Sequence, residues 1–202
     1  QQQILTMPSG NDMDENFRRL KYVRYADDFL IGDIGNKIEC EKIKSDITQF
    51  MLEKLKLEMS QEKTLITNAQ DSAKFLGYEI SVRKDYTTQK NARGETRRHR
   101  NGNVILHVSR EVIKKKLLSL EAMNVKTRNG KEVWSSKGRT YLIDNEPQDI
   151  VARFNTEIRG FYNYYSIANN ASALGRSFGC IMRFSMLKTF AQKLNSSVRT
   201  IT

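Results

Sequence analysis

The chain predicts an α+β fold, an antiparallel sheet with a helix on one face followed by a helical C-terminal third. Three observations predict it. Short runs at residues 22–25, 29–31 and 74–82 are rich in β-branched and aromatic side chains and have strand length. Ile43, Ile47, Phe50, Met51 and Leu55 recur at helical spacing and give one apolar face to lay against a sheet. Beyond Pro147, the residues Ile150, Phe154, Ile158, Phe161, Tyr162 and Tyr165 form an i, i+4 stripe. Strands around one helix, then helices alone, is the order of an α+β chain.

Taken in order, residues 1–17 are polar, with a turn marked by Pro8, Ser9 and Gly10, and read as loop. A β-hairpin is expected at about 20–34. Asn36 then opens a helix, with Glu39 three residues later as the second half of a capping box. Strands are expected at 63–67 and 74–82. From 83 to 103 apolar residues are scarce, and this stretch reads as a mobile basic loop or hairpin. A short strand at 104–108 precedes a helix capped by Ser109, with Val112, Ile113, Leu117 and Leu120 inward and Lys114, Lys115 and Lys116 outward. Residues 126–140 read as a second basic loop carrying the only tryptophan, Trp134. Pro147 fits the first turn of the next helix. A last helix at about 174–194 would pack through Ile181, Phe184, Leu187 and Ala191. The aromatic stripe reads as helix packing, which leaves Arg159 and Arg183 for the exposed side.

Composition narrows the function. The 202 residues carry 39% hydrophobic side chains, enough for a modest core in one domain or two small ones. No run approaches the roughly 20 apolar residues of a membrane span, and no secretory signal opens the chain. Cys40 and Cys180 match no metal-ligand spacing and read as thiols of a reducing compartment, cytoplasmic or organellar. The formal net charge is +11, and its location matters. Residues 83–139 hold 16 Lys and Arg against 5 Asp and Glu, whereas the rest of the chain holds 18 of each. Neutral flanks around a basic centre point to a polyanion surface.

The chemistry concentrates in Tyr25-Ala26-Asp27-Asp28, set between two apolar runs. Two carboxylates at a hairpin tip are oxygen ligands on a rigid mount, suited to a hard divalent cation. Two-metal phosphoryl transfer needs such oxygens, because the ions lie roughly 3.5–4 Å apart and stabilise the attacking and leaving oxygens. The plainer alternative is a solvated turn, since Asp is a common turn residue. On a straight strand adjacent side chains point to opposite faces, so only a turn brings both carboxylates to the same cations.

The longer string around this hairpin, residues 18–32, resembles the active-site hairpin of the group II intron reverse transcriptase/maturase family. Further blocks stand on either side of it in that family's order. They are residues 7–14 ahead of the hairpin, 55–64, Ala73-Lys-Phe-Leu-Gly-Tyr-Glu-Ile80, and 154–168, the last resembling the maturase or thumb region. The resemblance implies a partial polymerase palm over 1–82, a basic connecting segment with the first thumb helix over 83–139, and a helical thumb/maturase domain over 140–202. It implies an RNA-directed DNA polymerase that also binds intron RNA as a maturase for splicing and retrohoming. Its partners would be intron RNA, an RNA template with a DNA primer, and deoxynucleoside triphosphates. The alternative is an RNA-binding splicing cofactor whose polymerase site is unused.

By the same resemblance, Asp27 and Asp28 hold Mg²⁺ together with a third carboxylate from an earlier strand that this chain lacks. Lys63 stands where a lysine protonates the departing pyrophosphate; a solvated lysine is the plainer reading. Phe75, Leu76 and Gly77 resemble the primer grip, with Gly77 admitting a primer phosphate close to the backbone; a strand bulge is the alternative. RNA contacts are expected from Arg97, Arg98, Arg100, Lys114, Lys115 and Arg159. The chain opens with glutamines in what the resemblance makes mid-loop, so it is expected to be a C-terminal fragment, inactive alone.

Overall fold

A computed structural model describes residues 18–85, 87–98 and 102–201. The polar loop expected at 1–17 lies outside them. The chain divides into two compact units, one running to Leu76 and including Ile80–Ile105, the other joining Gly77–Glu79 to Leu106–Thr202.

The first unit opens with an antiparallel hairpin of β1 (Leu20–Tyr25) and β2 (Asp28–Asp33), in register from Leu20 opposite Asp33 to Tyr25 opposite Asp28. Helix α1 (Lys37–Leu55) follows, and the expected capping box is present. Asn36 Oδ1 accepts from the Glu39 amide at 2.8 Å, and Glu39 Oε2 accepts from the Asn36 amide at 3.2 Å. Ile43, Ile47 and Met51 are half-buried as the spacing predicts, but Phe50 and Leu55 are exposed. No residue of the helix is fully buried.

The strand expected at 63–67 is not formed. Residues 61–63 turn instead, with Thr64 donating from both its amide and its hydroxyl to the Ser60 carbonyl. The single strand expected at 74–82 is two, β3 (Ala73–Phe75) and β4 (Tyr78–Val82). Leu76 and Gly77 between them both have positive φ, the backbone of a tight hairpin turn. The basic stretch after it forms a small hairpin of β5 (Thr88–Lys90) and β6 (Thr96–Arg98). Asn91 Oδ1 holds its loop by accepting from the amides of Arg93 and Glu95. Strand β7 (Val104–Val108) falls where the sequence places it, and β4 is the central strand of a β3-β4-β7 sheet.

All the fully buried apolar side chains among the described residues belong to the second unit. Helix α2 (Arg110–Ser119) is capped by Ser109 Oγ, which accepts from the Val112 amide, and buries Ile113 and Leu117. The basic loop expected at 126–140 is largely a hairpin, β8 (Met123–Arg128) and β9 (Lys131–Ser136). Its two turn residues, Asn129 and Gly130, both have positive φ. Asn-Gly between β-branched residues is the strongest local hairpin signal, and it was available in the sequence.

Helix α3 (Pro147–Tyr165) has proline in its first turn and buries Ile150, Phe154, Phe161 and Tyr165. Tyr162, expected inward, is exposed. The last expected helix is a short α4 (Ala171–Leu174), a wide turn at Gly175–Gly179 and α5 (Cys180–Lys193), before α6 (Val198–Ile201). The face of α5 is also displaced from the expected one. Met182, Ser185 and Thr189 are buried, whereas Ile181, Leu187 and Ala191 are half-buried and Phe184 is exposed.

Hydrogen bonding explains the displacement. The segment at 136–143 lies along α5. Ser185 Oγ donates to the Lys137 carbonyl at 2.5 Å, and Thr189 Oγ1 accepts from the Arg139 amide at 2.9 Å. Lys188 and Lys193 donate to the carbonyls of Ser136 and Ile143. The approach is close at Gly138, where a Cβ would lie 2.7 Å from Gln192 Oε1 and 3.1 Å from the Lys188 carbonyl carbon. Two asparagines serve β7 in a similar way. Asn169 and Asn170 accept from the amides of Leu106 and Val108, and Asn170 donates to the Val108 carbonyl, as a neighbouring strand would.

Candidate active site and nucleic-acid surface

The β1–β2 hairpin turns through two residues, Ala26 and Asp27, and Asp28 is the first residue of β2. Ala26 has φ +50°, a conformation that costs an L-residue roughly 1–2 kcal/mol. Arg24 Nε donates to the Ala26 carbonyl at 2.7 Å and braces the turn. Because Asp27 lies in the turn and Asp28 on the strand, the strict alternation of strand side chains does not govern the pair. Both are exposed. Their oxygens suit a hard cation, and magnesium is commonly held through one or two carboxylates, the remaining positions going to water and substrate phosphates. Among the described residues no third acidic or imidazole side chain joins them to make a metal cluster.

The other expected site residues fall as follows. Lys63 is exposed at the end of the turn at 61–63. Lys44 Nζ, on α1, donates to the Thr64 carbonyl beside it at 2.6 Å and anchors that segment. Phe75 closes β3 half-buried, and Leu76 and Gly77 form the turn that follows. A Cβ at Gly77 would lie 2.5 Å from Tyr165 Oη, so what comes close to this backbone is a tyrosine hydroxyl on α3. Tyr78 is 8% exposed and packs its ring against Tyr164 and Tyr165, with centroids at 6.0 and 5.1 Å, while its hydroxyl donates to the Tyr164 carbonyl. Burial, reinforced by neighbouring tyrosines, pushes the phenols of Tyr78 and Tyr165 above their ordinary range.

On the basic surface, Arg97 is exposed and pairs with Glu95 at 3.1 Å. Arg98 closes β6, and Arg100 lies outside the described residues. Lys115 and Arg159 are exposed as expected. Lys114 is not free in solvent, because it pairs at 2.5 Å with Glu132 on β9. Glu132 also accepts from the Trp134 indole N–H, and Arg110 stacks 4.5 Å from the Trp134 ring centroid. The Lys114 ammonium, then the indole N–H, hold the Glu132 carboxyl below its ordinary range. The sequence alone did not single out this group, because its partners are brought together only by the β8–β9 hairpin. Arg139, counted in the basic centre, is 1% exposed and belongs to the core.

Known families account for both halves of the chain. A family model described as type II intron maturase matches residues 101–202, and one described as reverse transcriptase (RNA-dependent DNA polymerase) matches residues 3–80. The group II intron-encoded protein LtrA of Lactococcus lactis subsp. cremoris is 38% identical over 174 residues, covering 86% of this chain and 28% of that protein. A putative COX1/OXI3 intron 1 protein of Saccharomyces cerevisiae is 40% identical over 188 residues, covering 89% of this chain and 22% of that protein. An uncharacterized mitochondrial protein of Marchantia polymorpha, ymf11, is 27% identical over 222 residues, covering 87% of this chain and 29% of that protein. The chain thus spans under a third of the length of each of these relatives. With half of its residues matched by one family and most of the remainder by the other, the chain belongs to the group II intron reverse transcriptase/maturase family.

Proposed function

We propose that the protein is part of an RNA-directed DNA polymerase that also binds intron RNA as a maturase, with residues 1–82 as a partial palm and the helical C-terminal part as the thumb. The observation that carries this reading is the pair of exposed carboxylates, Asp27 and Asp28, at the tip of a tight antiparallel hairpin in the segment matched as reverse transcriptase. They would hold Mg²⁺, which when bound stabilises charge on the attacking and leaving oxygens of phosphoryl transfer. The turn at Leu76 and Gly77 would support the primer strand. Lys63 Nζ would donate a proton to the departing pyrophosphate. The exposed cations of 83–139, with Arg159, would contact phosphates of intron RNA. A bacterial cytoplasm or an organelle is the proposed compartment; no helix among the described residues is long and apolar enough to cross a membrane.

The test uses the complete protein with an RNA template, a DNA primer and deoxynucleoside triphosphates. Incorporation that requires a divalent ion, together with tight binding of intron RNA, is the expected result. RNA binding without incorporation would replace this reading by that of a splicing cofactor with an unused polymerase site.

Lys63 and the basic surface each give an expectation. Lys63→Ala slows single-turnover incorporation by about 10²-fold or more and leaves primer–template affinity unchanged, because a proton donor acts in the transition state. An unchanged rate would return Lys63 to the ordinary surface lysines. For RNA binding the measurement is salt dependence. Each phosphate neutralised contributes a slope of roughly 0.7–0.9 in log affinity against log salt. Neutralising Arg97, Arg98 and Arg100 together is expected to flatten that slope by about two to three contacts. The exposed pair Arg97–Glu95 offers little resistance, since such pairs are worth at most about 1 kcal/mol. The control is Lys42 with Lys54, both exposed on α1, because Lys44 anchors the segment beside Lys63. Equal flattening by both sets would mean that binding follows net charge alone.

A further inference from the structure

Gly77 has no room for a side chain on the side of α3. Gly77 sits at φ +77°, and the Tyr165 hydroxyl stands where its Cβ would be. The next residue, Tyr78, is fixed twice, by its hydroxyl on the Tyr164 carbonyl and by ring contacts to Tyr164 and Tyr165. Tyr165 is in turn held by Phe161 at 4.8 Å, and Phe161 stacks on Phe178 at 4.1 Å between centroids. Gly77 and Tyr78 lie in the segment matched as reverse transcriptase, whereas the aromatic residues that crowd them, Tyr164 and Tyr165, lie in the segment matched as maturase. Gly77–Glu79 accordingly belong to the second unit.

We infer that Tyr78 and Tyr165 are positioning residues for the primer terminus, through which helix α3 of the maturase segment sets the geometry of the Leu76–Gly77 turn. The inference rests on the polymerase reading, which gives that turn to the primer. Its physical content is alignment. A misplacement of about 1 Å at a reacting terminus costs on the order of a hundredfold in rate, with little effect on binding at many distant phosphates. Tyr78→Phe removes one hydrogen bond and keeps the ring packing. Tyr165→Phe removes the hydroxyl that stands over Gly77. Gly77→Ala adds the methyl group that this hydroxyl excludes.

The experiment is single-turnover extension by the complete protein, with primer–template affinity, intron RNA affinity and thermal unfolding measured on the same variants. Tyr78→Phe is expected to slow incorporation on the order of tenfold, with both affinities within about twofold of wild type. Gly77→Ala is expected to be slower than Tyr78→Phe. Combining it with Tyr165→Phe is expected to recover part of the rate, because the clash is removed although the positive φ remains. A rate that falls and recovers while both affinities and the unfolding temperature stay level is a signature a merely structural role would not give. Tyr78→Phe extension within twofold of wild type, or a double variant no faster than Gly77→Ala, would overturn the inference. Affinity and unfolding temperature falling in proportion to the rate would also overturn it. No extension by the wild-type protein would overturn the polymerase reading and this inference together, so the two failures are told apart by the wild-type lane.

Discussion

Asp27→Ala in the complete protein is expected to abolish primer extension, by on the order of 10³-fold or more, while RNA affinity stays within about twofold. A metal ion at a transferring phosphoryl group supplies several kcal/mol of transition-state stabilisation, and each 1.4 kcal/mol is tenfold in rate. Asp27 is the turn residue of the β1–β2 hairpin and is exposed, so its removal leaves no buried partner unsatisfied. The cost to folding is therefore expected within about 0.5 kcal/mol, as for other surface changes. On the proposed reading RNA affinity would come from cations in residues 83–139, and losing one anion would not weaken contacts made by those. Single-turnover incorporation and an RNA titration on the same preparation separate the two quantities. Extension persisting within tenfold of wild type would remove Asp27 from the metal site.

The second large effect is on stability. Glu157→Ala is expected to destabilise the protein by about 3–5 kcal/mol, because it leaves an uncompensated cation in the core. Arg139 is 1% exposed, its guanidinium lies 4.2 Å from the Phe154 ring centroid, and Nη1 meets Glu157 Oε2 at 2.6 Å. Nη2 has only the Met182 sulfur, at 3.5 Å, and Nε has no hydrogen-bond partner among the described residues. Glu157 also pairs with Arg153 at 2.9 Å, but Arg153 is largely solvated and that contact is worth less than about 1 kcal/mol. Replacing both buried partners, Arg139→Met with Glu157→Leu, is expected to cost far less than the single change, since the double variant buries no charge. Denaturant unfolding of the two variants and wild type makes the comparison. A loss below 1 kcal/mol for Glu157→Ala would mean that the guanidinium reaches water.

What the sequence disclosed about this fold was local. Asn36 with Glu39 and Ser109 mark helix starts through bonds made within a single turn, Pro147 marks one through its fixed φ, and each was legible. So were the carboxylates of the β1–β2 hairpin, because a turn between two apolar runs needs no distant partner. The misses have specific causes. Residues 74–82 look like one strand because Leu76 and Tyr78 are apolar, yet the left-handed backbone at Leu76 and Gly77 folds them into two. Residues 126–140 look like a loop because charge obscures the alternation of Val125 and Val133 on either side of Asn129 and Gly130. Lys114 sits on the outer face of α2 by spacing, but Glu132 reaches it from a hairpin the spacing does not contain. The crowding at Gly77 was half legible. Close approach was foreseeable from a glycine, but Tyr165, 88 positions away, was not.

The hydroxyl-lined face of α5 has a consequence for how unambiguously the C-terminal helix can dock. A purely apolar stripe tolerates slippage, since one methyl contact replaces another at modest cost when volume is kept. Ser185 and Thr189 allow no such exchange. Sliding α5 by one residue would take the donor from the Lys137 carbonyl and leave the buried Arg139 amide without its acceptor, the latter at about 1–3 kcal/mol. The two hydroxyls thus select a single alignment of the helix, and they contribute uniqueness of structure more than net stability.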